Sequence, residues 1–295
     1  MCLQARDLLS HITITSKKSN KEKKMKMKNI FSLAVIALAA LSSCSNIAED
    51  ERFISGEMVG GGETVEGKEK NILIEDFTGQ NCVNCPLAME ELEKLHNTFG
   101  EKIIAVGVYG GPFGKSATGK YYPLTTDLGD YYNTKMNISE QPYANINRKE
   151  KSSNYIAWQG IVALLLEEEA KITLSCESTY DSASGTAAIK VSGDALSTID
   201  DAHLQVWIIE DNVVSLQRLP DGSVNKEFVH NHVLRTSVSD KDGDPISIAD
   251  GKNFEKTYSA NIDSSYKPED LYVVAFVFSA NGVEQVVKEK LVKVE

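Results

Sequence analysis

The stretch NILIEDFTGQNCVNCPLAMEELEKLHNTFG, residues 71–100, decides the fold. Its first seven residues are mostly apolar and predict a strand. From Cys85 onward, apolar residues recur at steps of three and four, which predicts an amphipathic helix that stops before Gly100. A continuous apolar run over 103–109 predicts a second strand, buried on both faces of a parallel sheet. Strand, helix and strand within forty residues are typical of one βαβ unit.

Cys82 and Cys85 lie where the predicted strand meets the predicted helix, in the spacing Cys-x-x-Cys. A pair in this place is typical of a thioredoxin-like redox site. Free N–H groups and the positive end of the helix dipole would stabilise a thiolate on Cys82, which would attack a partner disulfide. Cys85 would then resolve the mixed disulfide. Val83 and Asn84, between the two cysteines, are predicted to contact the substrate.

Two further positions resemble the thioredoxin pattern. Thioredoxins carry an Asp-Phe pair whose Asp precedes the first cysteine by six residues, as Asp76 precedes Cys82 here. Burial would raise the pKa of Asp76, which could then accept and return a proton. The resemblance also implies a cis-proline facing the cysteines, and we predict a cis bond between Gln141 and Pro142, with Gln141 meeting the substrate backbone. Asn81 stands where thioredoxins have Trp, which leaves the substrate class open.

A zinc site and a static disulfide are the other interpretations of the cysteine pair. A zinc site needs two more ligands, and no second Cys-x-x-Cys and no His pair lies nearby in the sequence. We therefore expect neither a metal nor a cofactor at the pair. A static disulfide, or a site that has lost its activity, stays open on the sequence alone.

The N-terminus has the pattern of a lipoprotein signal. A lysine-rich segment (17–28) precedes an apolar run (30–41) that is too short to span a membrane. The following Leu-Ser-Ser-Cys resembles a bacterial lipobox and implies that Cys44 carries lipid. Residues 1–44 are thus predicted to be an over-called start plus a signal peptide. Residues 45–68, acidic and rich in Gly, are predicted to be a flexible tether.

Charge limits the partners. The chain has 295 residues and a formal net charge of −11, and residues 1–44 hold 8 Lys or Arg against 2 Asp or Glu. The remainder is therefore more acidic still, and nucleic acid and anionic membrane surfaces would repel it. We expect exported proteins or surface ligands as partners, no nucleic acid, and contact with the membrane only through lipid on Cys44.

Two folded domains are predicted. Residues 69–170 would form an α/β thioredoxin-like domain. Residues 171–295 show short alternating apolar runs, with a hairpin signal at Asn281-Gly282, and would form an all-β immunoglobulin-like sandwich. No catalytic constellation stands out in this second domain.

Three features of the second domain are candidate sites. His230 and His232 are predicted to share one face of a strand, but a pair without a carboxylate partner is more often structural. Asp240–Asp244 begins like a calcium loop but lacks its closing Glu, which favours a polar turn. Cys176 alternates with core positions and is predicted to be a buried, inert thiol. Metal binding at the His pair or the Asp cluster stays open.

The combination of motifs resembles one family. Besides the lipobox, these are EDFTGQNCVNCP (75–86), WIIEDN (207–212) and FVHNHVLR (228–235). They are similar to the twenty-eight-kilodalton outer-membrane-protein family of Gram-negative lipoproteins, over about residues 69–295. The resemblance implies a two-domain fold and an outer-membrane location, but no settled activity. Two hypotheses follow: a tethered thiol–disulfide oxidoreductase acting on exported proteins, or a surface binding or adhesion protein whose thioredoxin-like frame is structural.

Overall fold

The computed structural model describes residues 68–114 and 124–294, which are mostly β with four helices. The helices are α1 (Cys85–Phe99), α2 (Gly111–Gly114), α3 (Asp127–Lys135) and α4 (Trp158–Leu165). The strands are β1 (Ile72–Thr78), β2 (Ile103–Tyr109), β3 (Tyr143–Ile146), β4 (Glu150–Ser152), β5 (Ser175–Asp181), β6 (Thr186–Asp194), β7 (His203–Glu210), β8 (Val213–Arg218), β9 (Val224–His230), β10 (Val233–Ser237), β11 (Asp244–Pro245), β12 (Asn253–Asn261), β13 (Leu271–Ser279), β14 (Gly282–Lys290) and β15 (Val292–Val294). The predicted signal peptide, Cys44 and nearly all of the predicted tether lie outside the described residues.

The predicted βαβ unit is present. β1 and β2 are parallel and buried along their whole lengths, and α1 connects them. The apolar stripe of α1 is buried at Cys85, Ala88 and Leu95, as its spacing predicts. The helix ends at Gly100, whose φ of 65° lies in the left-handed region that favours glycine. Local periodicity therefore specifies this unit, which carries the two cysteines.

One nine-stranded sheet runs in the order β14-β13-β7-β10-β2-β1-β3-β4, with β11 added beside β7. Its two halves meet where Val233 of β10 pairs with Gly107 of β2. There the Gly107 N–H donates to the carbonyl of His232 at 2.8 Å. The sheet thus continues across residue 170, and the described residues belong to one compact unit. The predicted division at residues 170/171 stays a prediction.

A second sheet, in the order β12-β6-β5-β15, packs against the nine-stranded sheet. The core between them is apolar and includes Val191 of β6, Val206 of β7 and Val273 of β13. β13 and β14 form a hairpin closed between Ser279 and Gly282, as the Asn-Gly turn predicts. β8 and β9 form a separate two-stranded hairpin. Residues 171–295 are thus rich in strands, as predicted.

The alternation of side chains along β1 positions the candidate site. Ile74 packs with Leu95 of α1, whereas Phe77 lies in a cluster on the opposite face with Trp207. Because successive side chains of a strand point to opposite faces, Asp76 points to the same face as Ile74. Asp76 is therefore on the face of the sheet that α1 covers.

Candidate redox site

Cys82 and Cys85 form a disulfide at the start of α1. Both cysteines are buried, whereas Val83 and Asn84 between them are exposed. The backbone N–H of Cys85 donates to the Cys82 Sγ at 3.1 Å. The first turn of the helix thus offers a hydrogen-bond donor to the sulfur that the sequence predicts to be the nucleophile. The same donor would stabilise a thiolate on Cys82 in the reduced protein.

Asp76 is a buried carboxyl on the α1 face of the sheet. Its Oδ1 has no hydrogen-bond partner among the described residues. Burial, which penalises the charged form, raises the pKa of Asp76 from 3.8 to about 7. Its partner on β2 is Gly107, which places no side chain over the carboxyl. Asp76 is therefore poised to gain or lose a proton near neutral pH.

A cleft with a volume of about 970 Å³ reaches Asp76. Pro86 and Met89 of α1 line one wall, and Gly107 and Tyr109 of β2 line the floor beside the carboxyl. The cleft continues between α1 and the later strands as far as Lys288. It gives the buried Asp76 a route for exchanging its proton with solvent.

The hydroxyl of Tyr109 lies 2.9 Å from the Nδ1 of His230, and both residues are buried. Burial lowers the pKa of His230 to about 4, so its ring is neutral at physiological pH. Burial, together with the charge of Asp76, raises the pKa of Tyr109 well above 10. The neutral hydroxyl and the neutral ring therefore share one hydrogen bond. Tyr109 lines the same cleft as Asp76.

The histidine pair does not share a strand face, so that prediction is wrong. His230 ends β9, whereas His232 follows the strand with a φ of 60°. The Nδ1 of His232 lies 3.0 Å from Asp211 instead of near His230. The backbone turns between β9 and β10, and this turn separates the two rings.

The predicted cis peptide between Gln141 and Pro142 is confirmed. Pro142 immediately precedes β3, in which Ala144 pairs with Asp76. The proline thus adjoins the strand beside the acid. The side chain of Gln141 donates from Nε2 to the carbonyl of Gly110 at 3.1 Å, whereas its buried Oε1 has no hydrogen-bond partner among the described residues.

Residues 129–294 match the model of the family described as outer membrane protein Omp28. The chain belongs to this family. The family consists of outer membrane proteins, so the predicted outer-membrane location is confirmed. The match begins after the cysteine pair, so the redox site lies outside the matched residues. No described helix is long and apolar enough to cross a membrane.

Three solved structures match this chain, and the first of them, with a TM-score above 0.5, is similar in fold. HBP35 of Porphyromonas gingivalis is similar over 76% of this Omp28-family chain and 76% of its own, with 19% identity and a TM-score of 0.61. The match to a domain of the outer membrane lipoprotein Omp28 from Porphyromonas gingivalis covers 43% of this chain and 92% of that domain's chain, with 23% identity and a TM-score of 0.32. The match to protein AGR_C_4864 from Agrobacterium tumefaciens covers 75% of this chain and 95% of that protein's chain, with 14% identity and a TM-score of 0.47. Among curated proteins no match was found.

The sequence did not predict that the β8–β9 hairpin of this Omp28-family chain holds the cysteine loop. The Nε2 of Gln217 donates to the carbonyls of Cys82 at 2.9 Å and Gly79 at 3.3 Å. From the loop side, the Nε2 of Gln80 donates to the Oγ of Ser215 at 2.8 Å. Both glutamines are fully buried. In the sequence, the polar residues Ser215 and Gln217 interrupt the apolar strand β8 and indicate a buried polar contact. The sequence does not indicate which residues they contact.

Gln217→Leu should destabilise the oxidised protein by about 1–3 kcal/mol, because it removes the donor to the carbonyl of Cys82 in a buried site. The carbonyl of Gly79 loses one of two donors and still accepts from the N–H of Cys82. The free energy of unfolding in urea measures the effect. Gln159→Leu on the exposed surface of α4 is the matched control and should change it by less than about 0.5 kcal/mol. Equal effects of the two substitutions would contradict the role given to Gln217.

The predicted calcium-like loop is a polar turn held by protein groups. Tyr131 donates its hydroxyl to Asp242 at 2.6 Å, and Lys256 and Tyr258 bind the Oδ2 of Asp244. No group of three or more His, Cys, Asp or Glu that could hold a metal ion occurs within 68–114 and 124–294. Cys176 is a partly buried free thiol, and burial raises its pKa to about 12.

Proposed function

We propose that this outer-membrane protein is a lipoprotein, anchored through Cys44, whose thioredoxin-like domain exchanges disulfides with exported proteins. The immunoglobulin-like part would follow that domain in the chain. One arrangement carries the proposal: a disulfide at a helix N-terminus with a buried acid, Asp76, on the same face of the sheet. Asp76 has the near-neutral pKa that proton transfer to and from a thiol requires.

The exchange balances in sulfur, protons and electrons. In the reduced protein, the Cys82 thiolate attacks one sulfur of a substrate disulfide, forms a mixed disulfide and expels the other sulfur as a thiolate. Asp76 takes the proton of the Cys85 thiol, and the new Cys85 thiolate attacks the Cys82 sulfur. The Cys82–Cys85 disulfide forms, the second substrate thiolate leaves, and two electrons pass to the substrate. The reverse sequence oxidises a substrate dithiol.

A second candidate is a surface binding or adhesion protein whose disulfide is structural. The observation that favours it is the fixed cysteine loop, with Cys82 itself buried and its carbonyl held by Gln217. Asn81 in place of Trp also departs from the thioredoxin pattern. The two candidates differ in one property: only the first requires Cys82 to form a mixed disulfide.

Trapping tests the proposal. The full chain carrying Cys85→Ser, with its other cysteines Cys2, Cys44 and Cys176 also changed to Ser, is mixed with a model peptide closed by one disulfide. We expect a stable adduct on Cys82, one peptide heavier, that dithiothreitol releases, because the resolving sulfur is missing. Adding Cys82→Ser should abolish the adduct. Absence of an adduct, together with no reduction of the peptide by the reduced wild-type chain, would reject the oxidoreductase and favour the structural disulfide.

A further inference from the structure

The cleft that reaches Asp76 is much larger than proton exchange requires. Its volume is about 970 Å³, which lies in the upper part of the range for sites that bind small organic molecules. Its lining includes residues of α1, of β9 with the turn that follows it, and of β14. A path for water would be enough to carry protons to Asp76. The remaining volume can admit a small organic molecule.

Apolar side chains line the cleft from three elements. Met89 and Leu92 belong to α1, Phe228 and Val229 belong to β9, and Val287 belongs to β14. A ligand that fills the space between these elements removes their apolar surface, and its own, from water. The body of the ligand is therefore expected to be apolar.

Asp76 supplies an unused polar group at the floor of the cleft. The residue is only 2% exposed, and its Oδ1 has no hydrogen-bond partner among the described residues. Burial is the one cause of its raised pKa, so no hydrogen bond or cation within the described residues compensates the buried charge. A buried polar group without a partner in the chain is explained by a bound water, ion or ligand. An ammonium group compensates a carboxylate with a charge-assisted hydrogen bond.

The charges along the cleft favour a cation. The lining includes five Asp or Glu side chains and two Lys side chains. One of the lysines, Lys288, is already bound, with its Nζ 3.3 Å from Oδ2 of Asp211 and 4.1 Å from the ring centre of Tyr272. Glu90 and Glu93 extend the negative charge along the α1 wall. The cleft therefore attracts organic cations and repels organic anions.

We propose that the cleft binds a small organic cation, a primary amine on an apolar or aromatic body, whose ammonium group donates a hydrogen bond to the carboxylate of Asp76. The ammonium group and the carboxylate compensate each other's charge in the buried site, while the body covers the apolar walls. The inference goes beyond disulfide exchange, because the ligand carries no sulfur and its binding changes no bond at Cys82 or Cys85.

The test compares three indole compounds of similar shape. Tryptamine carries an ammonium group, tryptophol has a hydroxyl in its place, and indole-3-acetate carries a carboxylate. Calorimetric titration of the oxidised full chain in phosphate buffer at pH 8.5, where Asp76 is ionised, measures their dissociation constants. We expect tryptamine to bind about tenfold or more tightly than tryptophol, the effect of one hydrogen bond between charged groups. Indole-3-acetate should bind more weakly than both.

Two variants assign the preference to one carboxylate. Asp76→Asn should lower the affinity for tryptamine to that for tryptophol. Glu93→Gln, at an exposed position of the same cleft, should change the affinity for tryptamine by less than about twofold. Thermal unfolding shows whether each variant is folded. In NMR spectra of the wild-type chain, tryptamine should shift the amide signals of Gly107 and His232, which line the cleft.

Equal affinities of the wild-type chain for tryptamine and tryptophol would overturn the proposal. An equal loss of tryptamine binding in Glu93→Gln would overturn it as well, because it would show a general attraction to the acidic wall. The comparison of the three compounds, with the amide shifts, decides the question on the wild-type chain even if Asp76→Asn does not fold. None of these measurements involves disulfide exchange, so the proposed function and the cation site can fail independently.

Discussion

Between about pH 4 and pH 7, the buried carboxyl of Asp76 is expected to lower the free energy of unfolding by about 4 kcal/mol, and Asp76→Asn should remove this loss. The pKa of Asp76 is about 7 in the folded protein and 3.8 in its ordinary state. Between these values the folded state holds a proton that the unfolded chain has released. The free energy of unfolding therefore falls as pH rises from about 4, and the loss is complete above pH 7. A difference of roughly three pKa units corresponds to about 4 kcal/mol. Asn does not titrate, so the variant lacks this slope.

Urea unfolding of the oxidised wild-type protein and of Asp76→Asn, at pH 4.5 and at pH 8.5, measures about 3 kcal/mol of this effect, because the unfolded chain has already released most of this proton at pH 4.5. At each pH, the free energy of unfolding of the wild-type protein is subtracted from that of Asp76→Asn. The change of this difference with pH reports Asp76 alone, because the contributions of all other titrating groups cancel. An amide that lacks a partner in the buried site adds a constant cost of about 1–3 kcal/mol, which also cancels. Asp200→Asn at an exposed position is the control. A difference that does not change with pH would show that Asp76 is not a buried acid.

The same variant bears on the chemistry. In Asp76→Asn no carboxylate takes the proton of Cys85, so resolution of the mixed disulfide at pH 7 should slow by roughly 100-fold, the effect of losing a general base. The attack of Cys82 on the peptide disulfide should change far less. Stopped-flow measurement of the two steps separates them. If Asp76→Asn is stabilised at high pH but carries out both steps as fast as the wild-type protein, Asp76 has only a structural role.

The parts of the site that are local in sequence could be predicted. β1, α1 and β2 each show their own periodicity, so the positions of Asp76, Cys82 and Cys85 follow from short-range patterns. The apolar residues within 154–171 favour one longer helix, but α4 covers only Trp158–Leu165. Beyond it the N–H of Ala170 donates to the carbonyl of Lys68 instead of to a helical carbonyl.

The parts that depend on distant pairing could not be predicted. Gln217 and Cys82 are 135 residues apart in the chain, and no local pattern of β8 indicates which loop it contacts. The pairing of Val233 with Gly107, which joins the two halves of the sheet, is equally remote in sequence. Tyr109 ends an apolar strand and appeared to be a core residue. Only the folded structure brings the ring of His230 to the hydroxyl of Tyr109, and Asp76 close enough to raise the pKa of Tyr109.

Gly79→Ala should destabilise the protein by about 3 kcal/mol. A Cβ at Gly79 would overlap the carbonyl of Phe113 and lie 2.7 Å from the N of Gly114. Both are backbone atoms, so relief requires the cysteine loop or α2 to shift, a cost at the upper end for overpacked sites. The shift would also disturb the hydrogen bonds from Gln217 to the carbonyls of Gly79 and Cys82.

Gly160→Ala is the matched control, since its Cβ would meet nothing within 4 Å in α4. Alanine in a helix is favoured over glycine, so this variant should gain about 0.5–1 kcal/mol. The two substitutions add the same methyl group, and opposite signs of their effects in urea unfolding would identify the close approach at Gly79 as the cause.

Reactivity distinguishes the two candidate functions here as well. In a working redox site, Gly79→Ala lowers the rate of peptide reduction, because the displaced loop moves Cys82 away from the N–H groups of α1 that stabilise its thiolate.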